Sequence, residues 1–572
     1  VDLLKLLAHN ARPYRLAIVA VIVLQAASTA ATLYLPSLNA RIIDQGVAKG
    51  DVPYIWSVGG VMLAVAFAQV ITACAAIWFG SRAAMGTGRD IRSRVFNRVA
   101  RFSVEDVSHY GASTLITRGT NDVQQVQMVF LMFLNFMVAA PIMMVGGIIM
   151  ALREDPGMSW LVLVSVLVLG VVVGLLIMRL LPKFQAMQTK IDRVNGVLRE
   201  QITGIRVVRA FTREEHESKR FRAANTELTD LSRAIGNLFV LLFPLILVIL
   251  NVSIAALLWF GGHRVDNGDV EVGSLTAFMQ YLMQILAAVM MGAFMAMMLP
   301  RAMVCAQRIT EVLSHSPSIV EPTEPAGQVA GPATVAFDDV TFSYPGAEAP
   351  VLDSISFHAR PGTVTAIIGS TGSGKTTLAG LVPRLMVPSS GRVSIGGADI
   401  TELTRDQITK LVSVVPQKPY LFSGTVASNL RVANASASEE QLWDALRIAQ
   451  ADFVDDLEMP ISQGGTNVSG GQRQRLCIAR ALVSQARVYV FDDSFSALDM
   501  VTESQLRTAL APRMKDATMI VVAQRVSSIQ DADNIIVLDA GKIVASGTHD
   551  ELVNSSETYR EIAESQMMED AR

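Results

Sequence analysis

The sequence predicts a two-part molecule, with six membrane-crossing helices followed by an α/β domain of alternating strands and helices. Three observations carry that expectation. Of 572 residues, 51% are hydrophobic and 17% charged, with a mean hydropathy of +0.39, and the apolar excess lies before about residue 300. Six apolar runs there are each long enough to cross a bilayer, which takes ~20 residues at 1.5 Å rise. Further on, an apolar run from Val364 to Ile368 leads into Gly369-Ser-Thr-Gly-Ser-Gly-Lys-Thr376. A chain of this length exceeds one core. The expected division is a membrane domain over 1–313, a Pro/Glu/Ser/Gly-rich linker over 314–332 and the α/β domain over 333–572.

The apolar runs fall at about 16–35, 55–79, 128–151, 159–180, 238–260 and 273–299, none with a charge well inside the span. Helices satisfy their own backbone groups in lipid, so six helices are the expected form. The first run is too long for a signal peptide and lacks a small-residue cleavage site, so no removed leader is expected. Arginines crowd the connection between the second and third runs (Arg82, Arg89, Arg92, Arg94, Arg98, Arg101, Arg118). A second basic connection runs from Lys183 to Arg222, whereas the other loops carry few basic residues. The positive-inside rule then places both long connections and both termini in the cytoplasm. Both connections keep helical periodicity, as solvated helix faces or as surfaces for anionic headgroups.

Thr276, Gln280 and Gln284 share one face of the sixth run. They either line a translocation cavity or hydrogen-bond between helices. Methionines crowd the third run (Met128, Met132, Met137, Met143, Met144, Met150) and the sixth (Met279, Met283, Met290, Met291, Met295, Met297, Met298). Such surfaces adapt to varied apolar ligands, and Met is also ordinary apolar filler. The lack of a central charge disfavours proton coupling and a highly charged cargo. Cys74, Cys305 and Cys477 lie far apart and read as small apolar residues. A net charge of −3 gives no argument for nucleic acid as a partner.

The stretch Gly369, Ser370, Thr371, Gly372, Ser373, Gly374, Lys375, Thr376, with Thr377 next, fits G-x-x-x-x-G-K-[ST]. Its glycines let backbone N–H groups curl round phosphate oxygens, and the following helix directs its positive end at them. Lys375 would reach the β/γ-phosphates and the Thr376 hydroxyl a Mg²⁺ ion, so ATP and Mg²⁺ are the expected ligands.

Val468-Ser-Gly-Gly-Gln472, then a helical stretch Leu476–Leu482, then Arg487–Phe491 ending in Asp492-Asp493, resembles the signature and Walker B segments of ABC ATPases. Phe102–Tyr110 with Leu115–Asp122, and Gly204–His216, resemble the two coupling regions of ABC exporters. The resemblance covers nearly the whole chain and implies an ATP-driven half-transporter in a bacterial inner membrane. It implies that Tyr344 stacks on adenine, that Gln417 senses Mg²⁺ and the γ-phosphate, and that Asp492 holds the Mg²⁺ shell, through water. Ser469, Gly470, Gly471 and Gln472 would serve a second chain's ATP, and Ser496–Asp499 would touch the opposite site.

Three departures from the family pattern stand out. Asp493 occupies the place of the water-polarising Glu with one methylene less reach, in chemistry intolerant of ~1 Å misplacement. Gln524 stands where the family has a His, and cannot take a positive charge. Gln463 stands where exporters often carry a Glu before the signature. The expectation is therefore the degenerate half of a heterodimer, whose partner carries the catalytic Glu and His, with a small apolar or amphipathic substrate. The alternatives are a nucleotide-gated pore or regulatory subunit, and an importer built on the same fold.

Overall fold

The computed structural model describes residues 2–570 except Gln328, Ala330, Pro332 and Met514. The side chains of Gln185, Phe243, Ala296, Met297 and 567–570 also lie outside the described set, so Met297 of the methionine stripe and Pro332 of the linker are not placed. The chain divides into two compact units: Val1–Ala100 with Gly111–His315, and Arg101–Tyr110 with Ser316–Arg572.

Six long apolar helices build the first unit: Arg12–Val47, Val52–Val99, Ala112–Glu154, Ser159–Thr203, Glu214–Asp266 and Val272–Ser314. At 1.5 Å per residue, the 53-residue fifth helix is about 80 Å long, far more than a bilayer core requires. The apolar runs are therefore the middles of longer helices. Polar extensions continue them, and helices four and six run on past Pro182 and Pro300.

Helix one packs on helix two, four on five, and six on three and one. Leu33, Ala151, Leu161, Leu169, Leu257, Phe278, Tyr281 and Ile285 form the main shared core. Hydrogen bonds stitch the apolar segments together. Ser165 Oγ donates to Ser253 Oγ (2.8 Å), Gln25 Nε2 to the Asn135 carbonyl (3.0 Å) and Tyr281 Oη to the Leu33 carbonyl (3.1 Å). Ser37 Oγ donates to Glu154 Oε1 (2.5 Å) and lies 3.0 Å from Tyr281 Oη.

Of the three polar residues on the sixth helix, Gln284 Nε2 donates to the Thr32 carbonyl at 3.3 Å, between helices. Thr276 Oγ1 returns to its own helix at Gly273 O (2.7 Å), and Gln280 is half-buried. The methionine stripe divides as well, with Met295 buried and Met128, Met137, Met283 and Met298 exposed.

Away from the apolar middles, basic residues find specific acceptors. Arg98 donates twice to the Leu313 carbonyl (2.7 and 3.1 Å), and Arg118 to the Arg308 carbonyl (2.9 Å) and Glu311 (3.0 Å). Arg98 caps the negative end of the sixth helix, and Arg118 braces the turns before it. Lys190 and Arg193 pair with Glu227, and Arg220 with Glu200, joining the extensions of helices four and five. Exposed pairs of this kind contribute little each.

The tip at 102–110, expected with the membrane domain, groups instead with the second unit. The reason is local. Ser103 Oγ lies 2.6 Å from Ser318 Oγ, and the Ser318 N–H donates to Asp106 Oδ2 (3.1 Å). The other tip forms a short helix, Ile205–Ala210.

Six strands make the central sheet of the second unit, in the order Lys542–Gly547, Asn534–Asp539, Val364–Gly369, Thr518–Val522, Val488–Asp492, Val412–Val415. The last five pair in parallel and Lys542–Gly547 is antiparallel at the edge. A second, antiparallel sheet contains Val335–Phe342, Leu352–Ala359, Ser390–Ile395 and Ala398–Asp399. Both faces of the parallel sheet are buried, which explains near-continuous apolar strands such as Val488–Asp492. The segment read as a linker is tied down. Arg384 donates to the Val320 carbonyl (2.6 Å), Gln407 to that of Ala326 (2.8 Å) and Arg487 to that of Val329 (2.9 Å).

Gly273, at the start of the sixth helix, marks a close approach. Its N–H donates to Asp44 Oδ1 at 2.5 Å, and an added Cβ would lie 2.3 Å from both the Ala40 carbonyl and Asp44 Oδ2. Gly273→Ala is expected to destabilise the full-length chain by about 1–3 kcal/mol, the usual range for overpacking. Gly59→Ala, where nothing lies within 4 Å, serves as the neutral control. Thermal unfolding in detergent, followed by the loss of the monodisperse peak, measures the difference.

Candidate functional site

Parallel pairing brings four chain segments to one edge of the sheet. The phosphate loop follows Val364–Gly369, Gln524 lies just past Thr518–Val522, Asp492-Asp493 ends Val488–Asp492, and Gln417 lies just past Val412–Val415. These strands are successive neighbours, with Val522 opposite both Ile367 and Asp492, and Val415 opposite Phe491. The carboxyl ends of such strands are where open α/β sheets bind ligands.

Two glycines of the loop after Val364–Gly369 take left-handed backbone. Gly372 and Gly374 adopt φ of +86° and +100°. A Cβ on Gly374 would lie 2.8 Å from Leu352 Cδ2 and 3.0 Å from the Val351 carbonyl. Helix Lys375–Leu381 starts directly after it. Lys375 Nζ folds back onto the carbonyls of Gly369 (2.9 Å) and Ser370 (2.8 Å). Ser370 Oγ donates to Asp539 (3.3 Å), and Thr371 is exposed. Among the described residues, the buried Ser373 Oγ finds no hydrogen-bond partner, inside a loop shaped to surround anionic oxygens. Burial pushes the Lys375 ammonium below the usual lysine range, against the pull of Asp493 and Asp492. A phosphate would supply the missing counter-charge.

Thr376 Oγ1 lies 3.2 Å from Asp492 Oδ1. Burial pushes the Asp492 carboxyl above its ordinary range, with the Thr376 bond opposing and Asp493 adding to the rise. A hydroxyl and a carboxylate beside a phosphate site suit Mg²⁺, which takes few protein ligands and several from water and phosphate.

Asp493 is held through its backbone and one carboxylate oxygen. Its backbone sits at φ +49°, a conformation that Asp tolerates better than most residues, and its N–H donates to the Val522 carbonyl (2.9 Å). Both amides converge on one carboxylate oxygen, Gln417 Nε2 at 3.2 Å and Gln524 Nε2 at 2.6 Å from Asp493 Oδ2. Ser496 Oγ donates to the Asp493 carbonyl (2.9 Å).

Tyr344 is 44% exposed and packs edge-on against Phe342, with ring centroids 5.0 Å apart. Its hydroxyl lies 3.1 Å from Thr377 Oγ1. Thr377, grouped with the phosphate loop in the sequence, is buried and anchors this ring.

Ser469 caps helix Gly470–Val483. Its Oγ accepts from the Gln472 N–H (3.2 Å), and Gln472 Oε1 accepts from the Ser469 N–H (2.9 Å). Ser469 and Gly470 are exposed at the positive end of a 14-residue helix, the part of a helix that attracts anions. A Cβ on Gly471 would lie 3.2 Å from the Ala497 carbonyl, so the signature turn and Ser496–Asp499 approach closely. Among the described residues, no hydrogen bond links Ser469–Gln472 to the Asp493 network. Gln463 lies exposed in a short turn, Gln463–Gly465.

Two contacts leave no local signal in the sequence, whereas a third does. The Tyr344–Thr377 pairing and the Gln566 side chain beside Gln524 join residues far apart in the chain, with no local signal. The Ser469–Gln472 cap was legible as S-x-x-Q before an apolar helix.

Two family models match the chain, "ABC transporter transmembrane region" over 18–289 and "ABC transporter" over 352–496. An uncharacterized ABC transporter ATP-binding protein of Mycobacterium tuberculosis is 48% identical, across 99% of this chain and 98% of the relative. An ATP-dependent lipid A-core flippase of Desulfotalea psychrophila is 30% identical, across 98% of each. A solved bacterial Atm1-family ABC exporter with ATP bound superposes with a TM-score of 0.81, covering 96% of this chain and 97% of that one at 22% identity, a likeness of fold. The chain therefore belongs to the ABC transporter family, as a half-transporter whose six-helix membrane region and ATPase domain are fused in one polypeptide.

Proposed function

We propose that this chain is the degenerate-site half of a heterodimeric ABC exporter, carrying a small apolar or amphipathic substrate out across a bacterial inner membrane. The observation that carries this reading is the double amide contact on Asp493 Oδ2, from Gln417 and Gln524. A general base needs a carboxylate oxygen within reach of the attacking water, and one methylene less shortens that reach. Here the shorter carboxylate is drawn toward two neutral donors, and no imidazole is present at 524 to take up charge. The site is built to hold ATP and poorly built to cleave it.

In this reading Tyr344 supports the base, and the loop from Gly369 to Thr377 wraps the phosphates with Lys375 beside the terminal ones. Thr376, Gln417 and Asp492 would hold Mg²⁺, which when bound offsets phosphate charge. The exposed start of helix Gly470–Val483 serves the ATP of a partner half that carries the missing Glu and His. The basic connections support a cytoplasmic side for both termini. The lipid-handling name of the Desulfotalea relative supports an amphipathic cargo.

Purified alone in nanodiscs, the chain should bind ATP and turn over far below the ~10 s⁻¹ median of enzymes. Steady-state phosphate release measures this, and turnover near that median would end the degenerate-site reading. Asp493→Glu with Gln524→His should raise turnover in the assembled pair by more than the product of the two single gains, because residues acting as a unit are non-additive. A purely multiplicative result counts against a shared role.

Ser469→Arg should abolish ATPase activity of the assembled pair more completely than Lys375→Ala. The first blocks the site that hydrolyses, where losing one preorganised contact typically costs 10²–10³ in rate. The second weakens only nucleotide retention on this chain. Paired assays at saturating ATP decide it, and the reverse order would assign the working site to this chain.

A further inference from the structure

The loop carrying Gln524 is gripped from outside the nucleotide site. On helix Glu557–Asp570, Gln566 bonds it twice: its Nε2 donates to the Gln524 carbonyl (2.6 Å) and its Oε1 accepts from the Val526 N–H (2.7 Å). One planar amide thus captures the acceptor of one residue and the donor two residues on, fixing the peptide planes on either side of Arg525. The Ala523 N–H donates to the Ile367 carbonyl (3.1 Å), tying the loop's start to the phosphate-loop strand. Arg507 Nη1 donates to the Ser528 carbonyl (3.1 Å) at its end. The gripping helix is itself seated firmly, since Tyr559 is fully buried with its hydroxyl 2.7 Å from His549 Nδ1, and Ala563 is buried too.

Gln524 therefore stands between two holds, with its carbonyl on Gln566 and its side-chain amide on Asp493. Releasing the first frees the backbone dihedrals that aim the second. We propose that Gln566 is a positioning residue, through which the C-terminal helix sets the direction of the Gln524 amide and so the preference of this site for a nucleoside triphosphate over a diphosphate. The inference rests on Gln524 facing the γ-phosphate and is independent of whether the site hydrolyses.

The test is equilibrium binding of Mg²⁺-AMP-PNP and Mg²⁺-ADP to the full-length chain in nanodiscs, for wild type, Gln524→Ala, Gln566→Met and Gln566→Glu. Gln566→Met keeps the length of the side chain and removes both bonds. It is expected to lower the ratio of triphosphate to diphosphate affinity about fivefold, as Gln524→Ala does, with ADP binding unchanged. Gln566→Glu keeps the acceptor for Val526 but sets a carboxylate oxygen against the Gln524 carbonyl, so its ratio should fall at least as far as that of Gln566→Met. A wild-type ratio in Gln566→Met, with a lowered one in Gln524→Ala, overturns the positioning role. Equal weakening of both nucleotides in Gln566→Met overturns it too, by showing a general structural role. An unchanged ratio in Gln524→Ala overturns the placement of Gln524 and the clamp with it. Fast turnover of the isolated chain would instead sink the degenerate-site reading and is measured separately.

Discussion

The nucleotide site depends on the parallel register of four neighbouring strands. Val412–Val415, Val488–Asp492, Thr518–Val522 and Val364–Gly369 end at nearly the same level, so the residues just past them meet at one edge. In a parallel sheet all carboxyl ends face the same way, and helices on both faces keep the strands buried. Shifting one strand by a residue would turn its side chains to the opposite face and separate Asp493 from the two amides that hold it. The apolar strands thus do more than fill a core. Their pairing sets the distances between Lys375, Thr376, Asp492, Asp493, Gln417 and Gln524.

Within that frame the site is polar but sparsely charged. Lys375 and Asp492 are both partly buried, and desolvation works against the charged form of each. Such an arrangement favours a ligand that brings its own negative charge and metal. The neighbouring amides add hydrogen bonds without adding charge. Retention of a nucleotide needs only those contacts, whereas cleavage also needs a group that can take and return a proton.

The membrane unit obeys a different constraint. In lipid, helices gain nothing from apolar association alone, so hydrogen bonds and close packing have to hold them together. Ser165–Ser253, Gln284–Thr32 and the group formed by Ser37, Glu154, Tyr281 and Leu33 supply such bonds. Gly273 supplies a close approach, sealed by Asp44. Toward the other end of the sixth helix, Arg98 satisfies the Leu313 carbonyl, which the helix cannot satisfy itself, and Arg118 adds a bond to the Arg308 carbonyl and Glu311.

The sequence by itself determined whatever depends on local order along the chain. The six apolar runs were legible because crossing lipid demands an uninterrupted stretch of fixed length. The phosphate loop was legible because its glycines must be adjacent to wrap an anion. Asp493 and Gln524 read as departures only against the family pattern that the neighbouring motifs resemble. Tertiary structure alone decided what those residues touch. No local pattern announces that one oxygen of Asp493 takes both amides, or that Thr377 anchors Tyr344. Nor does any pattern announce that Gln566 grips the loop of Gln524, or that the tip at 102–110 joins Ser318. These contacts span tens to hundreds of residues, and a hydrogen bond between distant side chains leaves no periodicity in the sequence. It exists only once packing has fixed both backbones within about 3 Å of each other.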